Sequence, residues 1–221
     1  MTITAKKPAL PHADAFTIAT TLLQAIIPYS FNARTAGSLR RGQPVVGDIE
    51  IICIPYVEQT ESDDLFNSNS QVIRSPSFIK AIQDLRIDGE TLVVMRGSYA
   101  SGRYVRLYHS RIDFDLFMPE AHDYYRQLAI RTGSADYSRS VIAAAWVAKG
   151  WRGTADGLRL ESQCKLVAEN QWKCIHAHPE LPPVWGSEEE FFAWLGIPYL
   201  HPSQRYVPQP EWKRLGNTKS F

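Results

Sequence analysis

Asp48 and Glu50 stand two residues apart, in Gly47-Asp48-Ile49-Glu50, at the mouth of the apolar run Ile51-Ile52-Cys53-Ile54. In a strand, residues i and i+2 project from one face, roughly 6.5–7 Å apart along the chain. The spacing therefore aims two carboxylates the same way from the start of a buried strand. Carboxylates there are costly unless paired or bound to metal, and oxygen donors suit a hard cation. Just upstream, Gly37-Ser38-Leu39-Arg40-Arg41-Gly42 reads as a turn. Its backbone N–H groups and its two arginines suit a polyphosphate. The bland alternative is an arginine-rich surface turn followed by an edge strand with a polar end.

Two cations need a third carboxylate. Arg103-Tyr104-Val105-Arg106-Leu107-Tyr108 alternates like a strand, and Arg111-Ile112-Asp113-Phe114-Asp115-Leu116-Phe117-Met118 reads as its antiparallel neighbour. Asp113 and Asp115 share a face, with Phe114 and Leu116 on the other. Three carboxylates from adjacent strands can hold two Mg²⁺ ions roughly 3.5–4 Å apart, the arrangement used for in-line phosphoryl transfer.

With Arg131-Thr132-Gly133-Ser134, the tail Phe191-Phe192-Ala193-Trp194-Leu195-Gly196-Ile197-Pro198-Tyr199 and Pro202-Ser203-Gln204-Arg205, these motifs stand in a fixed order. In that order the chain resembles the DNA polymerase X family, the polymerase β superfamily of nucleotidyltransferases, from about Ala15 to Arg205. The resemblance implies an α+β fold: a nucleotidyltransferase palm, a mixed sheet with flanking helices, over residues 1–121, then a thumb-like αβ lobe over 122–221. It implies Asp48, Glu50 and Asp115 as catalytic metal ligands for two Mg²⁺ ions, with Asp113 a same-face neighbour. The family's first pair is Asp-x-Asp; glutamate at position 50 leaves Mn²⁺ as a substitute ion. Gly37, Ser38, Arg41 and Gly47 fall at the triphosphate, Gly133 and Ser134 at the nucleotide sugar, and Arg139 where a basic residue faces base or template.

The implied activity adds a nucleoside monophosphate from dNTP or NTP to a DNA, or RNA, 3′-hydroxyl, in gap filling or end repair. An acceptor that is RNA, protein or a small molecule is the alternative; a non-catalytic nucleic-acid-binding remnant is a further one. DNA-specific relatives set an aromatic pair before Thr-Gly-Ser to crowd a ribose 2′-hydroxyl; here Ile130-Arg131 stands there. The core begins within about fifteen residues of Met1, which leaves no room for the larger members' lyase domain. The chain looks like the minimal palm-plus-thumb members known from viruses, and a monomer is expected.

The 221 residues carry 24 Lys+Arg against 23 Asp+Glu, for a net charge of +1. No overall cationic field drives nonspecific nucleic-acid binding, so contacts must be local. Tyr104, Arg106 and Tyr108 fall on one strand face, and with Arg103 they suit a primer end by stacking and phosphate contact; an ordinary cross-strand ladder reads the same way. Three cysteines make no disulfide framework, and no signal peptide or membrane-length apolar stretch stands in the sequence. A soluble protein of the reducing cytoplasm is expected.

The elements that must position these groups are legible in part. Phe16 through Ile27 has helical spacing and stops at Pro28; a strand precedes Gly37. Val57–Asn69 reads as a solvated acidic loop, Pro76–Leu85 as a helix and Thr91–Met95 as a strand. Ser134 caps a helix running to Lys149 with Gly150 beyond it, and Ser187-Glu188-Glu189-Glu190 opens another that closes at Gly196. Leu158–Lys165 and Gln171–His176 read as a strand pair, and Pro179–Pro183 as a loop. Cys164, Cys174, His176 and His178 lack the close ligand pairs of structural zinc, so an ordinary hairpin is expected there. Trp146, Trp151, Trp172, Trp185 and Trp194 are read as C-terminal core.

Overall fold

The computed structural model describes residues 9–59, 72–169 and 171–207 of a mixed α+β protein. The strand β1 (Leu10–Pro11) leads into helix α1 (His12–Ile26). Ala15, Ile18, Ala19, Leu22 and Ile26 form its buried stripe, the one-face spacing that helical periodicity dictates. A 3₁₀ turn at Ile27–Tyr29 holds Pro28, and β2 (Ser30–Thr35) follows. Gly37–Arg40 forms a short helix, α2, where the sequence reads as a turn. Then come β3 (Val45–Val46), paired with β1, and the central strand β4 (Ile49–Pro55). Val57–Gln59 forms β5, antiparallel to β6 (Val72–Arg74). The acidic stretch Glu61-Ser62-Asp63-Asp64 lies outside the described residues.

Helix α3 (Pro76–Gln83) packs Phe78 and Ile82 inward. A small hairpin joins β7 (Arg86–Ile87) to β8 (Glu90–Thr91), so the strand expected from Thr91 begins at Val93 instead: β9 (Val93–Gly97). With β10 (Tyr104–Tyr108) and β11 (Phe114–Phe117) it completes a five-stranded sheet ordered β2-β4-β11-β10-β9. Strands β4 and β11 are parallel; the other neighbours are antiparallel.

Period-two alternation divides this sheet. Ile49, Ile51, Cys53, Phe114, Leu116, Val105 and Leu107 join α1 and α3 in one core. The opposite face carries Ile52 and Phe117, which pack on Tyr124 and Leu128 of helix α4 (Tyr124–Thr132). Glu50 and Asp115 share that second face because each lies two residues from an α4-facing apolar residue.

Beyond α4, the Ser134 side chain accepts the Tyr137 N–H at 3.4 Å and caps α5 (Ala135–Tyr137). The helix continues through a π-helical stretch, Ser138–Ala143, into α6 (Ala144–Ala148). The following region departs from the sequence expectation. Instead of one strand pair there are two hairpins: β12 (Trp151–Thr154) with β13 (Gly157–Leu160), and β14 (Cys164–Ala168) with β15 (Gln171–Cys174). Leu158–Lys165 is broken by a 3₁₀ turn at Glu161–Gln163, so its two ends serve different hairpins. Helix α7 (Glu188–Leu195) is capped by Ser187 and ends on Gly196. Trp146, Trp151, Trp185, Phe191 and Phe192 make the second core, with Trp194 packed against it. Trp172 does not join them; it lies on the β15 hairpin beneath the Arg152 guanidinium, 4.9 Å from its ring centroid.

One buried ion network ties the two cores. Glu188, at the start of α7, receives Arg40 of α2 at 2.7 Å and Arg205 at 2.7 Å. Arg40 also donates to the Thr132 hydroxyl at 2.6 Å, and Arg205 lies between the Phe192 and Tyr199 rings. Burial pushes the Glu188 carboxyl up, but the hydrogen bonds from Arg40 and Arg205 outweigh it and hold the group below its ordinary value. Removing one member strands a buried charge, a loss on the order of 3–5 kcal/mol. Glu188→Ala is expected to cost that much in denaturant melts and Glu188→Gln distinctly less, since the amide oxygen still accepts. Equal, small losses in both variants would show that the network does not hold the cores together.

Candidate functional site

The site is a row of charge across three strands. Glu50 on β4 is the register partner of Asp115 on β11, and Asp115 of Arg106 on β10. Neighbouring strands lie about 4.8 Å apart, so the three side chains are stacked in line on the α4-facing side. Asp48 precedes β4 on the same face as Glu50, and Asp113 precedes β11 on the same face as Asp115. The Arg106 guanidinium bridges Asp115 at 2.9 Å and Asp113 at 3.1 Å, and the Tyr104 hydroxyl donates to the other Asp115 oxygen at 2.6 Å. Tyr104 and Arg106, read as a nucleic-acid face, are thus turned onto the acidic row. Arg103 leaves that face: it pairs with Glu120 at 3.3 Å and Asp156 at 3.2 Å across the seam of the two cores.

Glu50 carries the strain of this crowding. Its carboxyl is pushed up to about 7, first by burial, then by the charges of Asp48 and Asp115; Arg131 and Arg41 oppose the shift. Gly37 makes room for it. Gly37 has φ +60°, and a Cβ there would lie 1.9 Å from a Glu50 carboxylate oxygen, so α2 and the acidic strand meet only because the residue is glycine.

Arg41 closes the assembly. It donates to the Thr132 carbonyl, and a Cβ on Gly133 would lie 2.8 Å from its guanidinium. The Gly37–Arg41 and Thr132–Ser134 segments, about ninety residues apart, therefore touch. The Gly133–Ser134 peptide is cis. Ser38 stays half-exposed on α2 beside them. Arg40, read with Arg41 as charge for a polyphosphate, is instead committed to Glu188 and Thr132. Gly47 is not crowded by any neighbour, and Arg139 is 77% exposed, 3.9 Å from Asp136 on its own helix.

The two residues before Thr132 part company. Ile130 packs with the C-terminal core, so it is not part of a wall over the acids. Arg131 stands over the Phe117 ring at 4.1 Å, its pKa lowered by burial and raised by Glu50. The sequence reading missed Glu188 as the partner of Arg40 and Arg205 as the second arginine on Glu188, because 148 and 165 residues separate them from Arg40 and only their motif positions hint at proximity.

The donor chemistry fits a hard cation. Glu50 and Asp115 are register partners, with Asp48 two residues before Glu50, and Glu50 is held against ionisation first by its burial and then by the neighbouring acids. Among the described residues no three acidic, histidine or cysteine side chains are gathered as a group that could hold a metal ion, and both oxygens of Asp115 are taken by Tyr104 and Arg106. No family model matches the chain, and no curated protein matches it. No helix among the described residues is long and apolar enough to cross a membrane.

A cation bound at Glu50 would have to displace its proton. The folded pKa is raised, so the contribution of Glu50 to stability is fully present below pH ~4.5 and is lost as pH climbs through 7, by at most about 3 kcal/mol for this half-buried group. Mg²⁺ or Mn²⁺ is expected to raise the unfolding temperature markedly at about pH 8 and little at about pH 5.5. An equal shift at both pH values, or one unchanged in Glu50→Gln, would overturn the assignment.

Proposed function

We propose that the chain is a nucleotidyltransferase of the DNA polymerase X type, adding a nucleoside monophosphate from dNTP or NTP to a nucleic-acid 3′-hydroxyl in gap filling or end repair. In that reading residues 1–121 are its palm and residues 122–221 its thumb. One observation carries it. Four segments, two from residues 37–50 and two from residues 113–134, meet on one face of one sheet: Gly37–Arg41, Asp48–Glu50, Asp113–Asp115 and Thr132–Ser134. Each holds the residue types that phosphoryl transfer needs: carboxylates on one side and cationic or backbone donors on the other.

In this reading Asp48, Glu50 and Asp115 hold two divalent cations, Mg²⁺ with Mn²⁺ as substitute. Bound there, such ions lower the pKa of an attacking hydroxyl and neutralise charge on a triphosphate. The remaining work belongs to the chain's own groups. Arg41 and Ser38 bind the β- and γ-phosphates, with Arg41 aimed by the Thr132 carbonyl. Gly133 and Ser134 seat the sugar on a turn that Arg41 already touches. The acceptor hydroxyl gives up its proton to bulk water, its oxygen bonds to the α-phosphorus as the bond from that phosphorus to the bridging oxygen breaks, and pyrophosphate leaves toward Arg41. Tyr104 and Arg106 hold Asp115 oriented until it is engaged. The same chemistry with an RNA, protein or small-molecule acceptor is the second reading; half-exposed Ser38 and Arg41 suit a triphosphate in either case.

Primer extension on gapped, templated and single-stranded DNA with each NTP and dNTP tests the proposal. Asp48→Ala and Asp115→Ala are expected to abolish transfer, a loss of at least about a thousandfold, with the fold kept. Asp113→Ala is expected to cost far less, because its partner Arg106 keeps Asp115. Full turnover in Asp115→Ala would reject the site.

Sugar choice gives a second expectation. Arg131, not an aromatic ring, borders the Thr-Gly-Ser turn, so NTP and dNTP should differ by only about 1–2 kcal/mol. Arg131→Phe should then cut NTP use selectively. A wild-type dNTP preference above about a thousandfold, ~4 kcal/mol, would contradict it.

A further inference from the structure

The second hairpin of the C-terminal sheet sets two cysteines directly opposite each other. Strands β14 and β15 run antiparallel with Cys164 facing Cys174, Lys165 facing Lys173 and Leu166 facing Trp172. One residue outward, the Ile175 N–H donates to the Gln163 carbonyl at 3.0 Å. That makes 163 and 175 a hydrogen-bonded pair, so alternation along the ladder makes Cys164 and Cys174 a non-hydrogen-bonded one. At such a pair Cα atoms lie about 4.5 Å apart and the side chains stand close on one face. A disulfide needs a Cα separation of about 4.4–6.8 Å. Bridging therefore asks for no movement of either strand.

The thiols are also within reach of each other and of solvent. The Cys164 thiol is pushed up by partial burial and by contact with Cys174, and both residues are half-exposed. Cys53 differs on each count. It is buried in β4, and burial pushes its thiol up to about 12, so it has almost no thiolate.

We propose that Cys164 and Cys174 form a dithiol–disulfide site, oxidised by a small-molecule disulfide of the glutathione class. The Cys174 thiolate attacks one sulfur of the oxidant, forming a mixed disulfide and releasing one thiolate. The Cys164 thiolate then attacks the Cys174 sulfur and releases the second. The cysteines lose two electrons and two protons, and the oxidant gains them as two thiols. The new bond lies at the open end of the hairpin, away from the β14–β15 connection. Its partner across the sheet is β12, through Thr154 opposite Trp172, where a groove of about 450 Å³ is lined by Thr154, Asp156, Trp172 and Lys173. Oxidation pins that wall of the groove.

Full-length protein equilibrated in defined ratios of reduced and oxidised glutathione, then acid-quenched, alkylated and peptide-mapped, gives the test. The expected product lacks two hydrogens, links Cys164 to Cys174 and leaves Cys53 free to alkylate only after unfolding. Cys164→Ser should lose the link and carry one glutathione on Cys174, while Cys53→Ala should form the link as wild type does. The link should also form at least about tenfold more readily in folded protein than in guanidinium-unfolded protein at the same ratio. Separate glutathione adducts on both cysteines without a link, or equal linking in folded and unfolded chains, would overturn the proposal.

Discussion

A single buried carboxylate sets the frame on which the rest depends. Glu188 has almost no contact with water and would be intolerable there alone. Its position is tolerable only because Arg40 and Arg205 reach it from α2 and from the C-terminal segment, each at 2.7 Å. Arg40 in turn holds Thr132, and the Ser134 N–H donates to the Arg205 carbonyl at 3.2 Å. The turn between α4 and α5 is therefore fixed from both sides by residues of one ion network. That is why Arg41, one residue past Arg40, lies where it can meet the Thr132 carbonyl. The first arginine of the pair is structural, and its cost in desolvation is offset by locating the second.

A second constraint, strand periodicity, decides which acids meet. Residues of β4 and β11 alternate between the α1–α3 core and the α4 face, so Asp48, Glu50, Asp113 and Asp115 all have to fall on the α4 side. Register then separates Asp115 from Asp113. Asp115 is the direct partner of Glu50 across the parallel ladder; Asp113 lies one step outside it and shares Arg106. The same rule sets Phe117 beside Ile52 one step further in, which gives Arg131 an aromatic floor at the edge of the acids.

Features governed by local chemistry could be read from the sequence. The stripe of α1, the Ser134 and Ser187 caps, the stop at Gly196 and the apolar run of β4 each depend on residues within a turn or two of one another. Features governed by long-range pairing could not. Trp151–Thr154 has no apolar alternation, and it becomes a strand because Trp151 is buried and its backbone finds β13. Trp172 reads as core by its type, yet the ladder turns it toward Arg152. Ile130 and Arg131 are adjacent, but helical geometry sends one to the C-terminal core and the other to the acids, about 100° apart around α4. For the site, the carboxylates and the glycine-bounded arginine stretch were legible. The division of labour between Arg40 and Arg41, and the turn of Tyr104 and Arg106 onto Asp115, were not, since both are set by partners on other elements.

The near-zero net charge conceals how the cations are spent. Arg40, Arg103, Arg106, Arg126, Arg152 and Arg205 each lie within 3.3 Å of a carboxylate of the same chain. Composition alone suggests two dozen positive charges against as many negative ones, evenly spread. The arrangement is uneven: burial and then the neighbouring acids at the mouth of β4 make Glu50 resist ionisation, while arginines are drawn inward to neutralise the rest. A site built this way does not attract a polyanion by its overall field, because the arginines around the row are already set against its acids. In the proposed reading, a triphosphate enters together with divalent cations that supply the positive charge the paired arginines do not, so cation and nucleotide bind with positive coupling. The two carboxylates of the row, and not the arginines around them, then set the order of events.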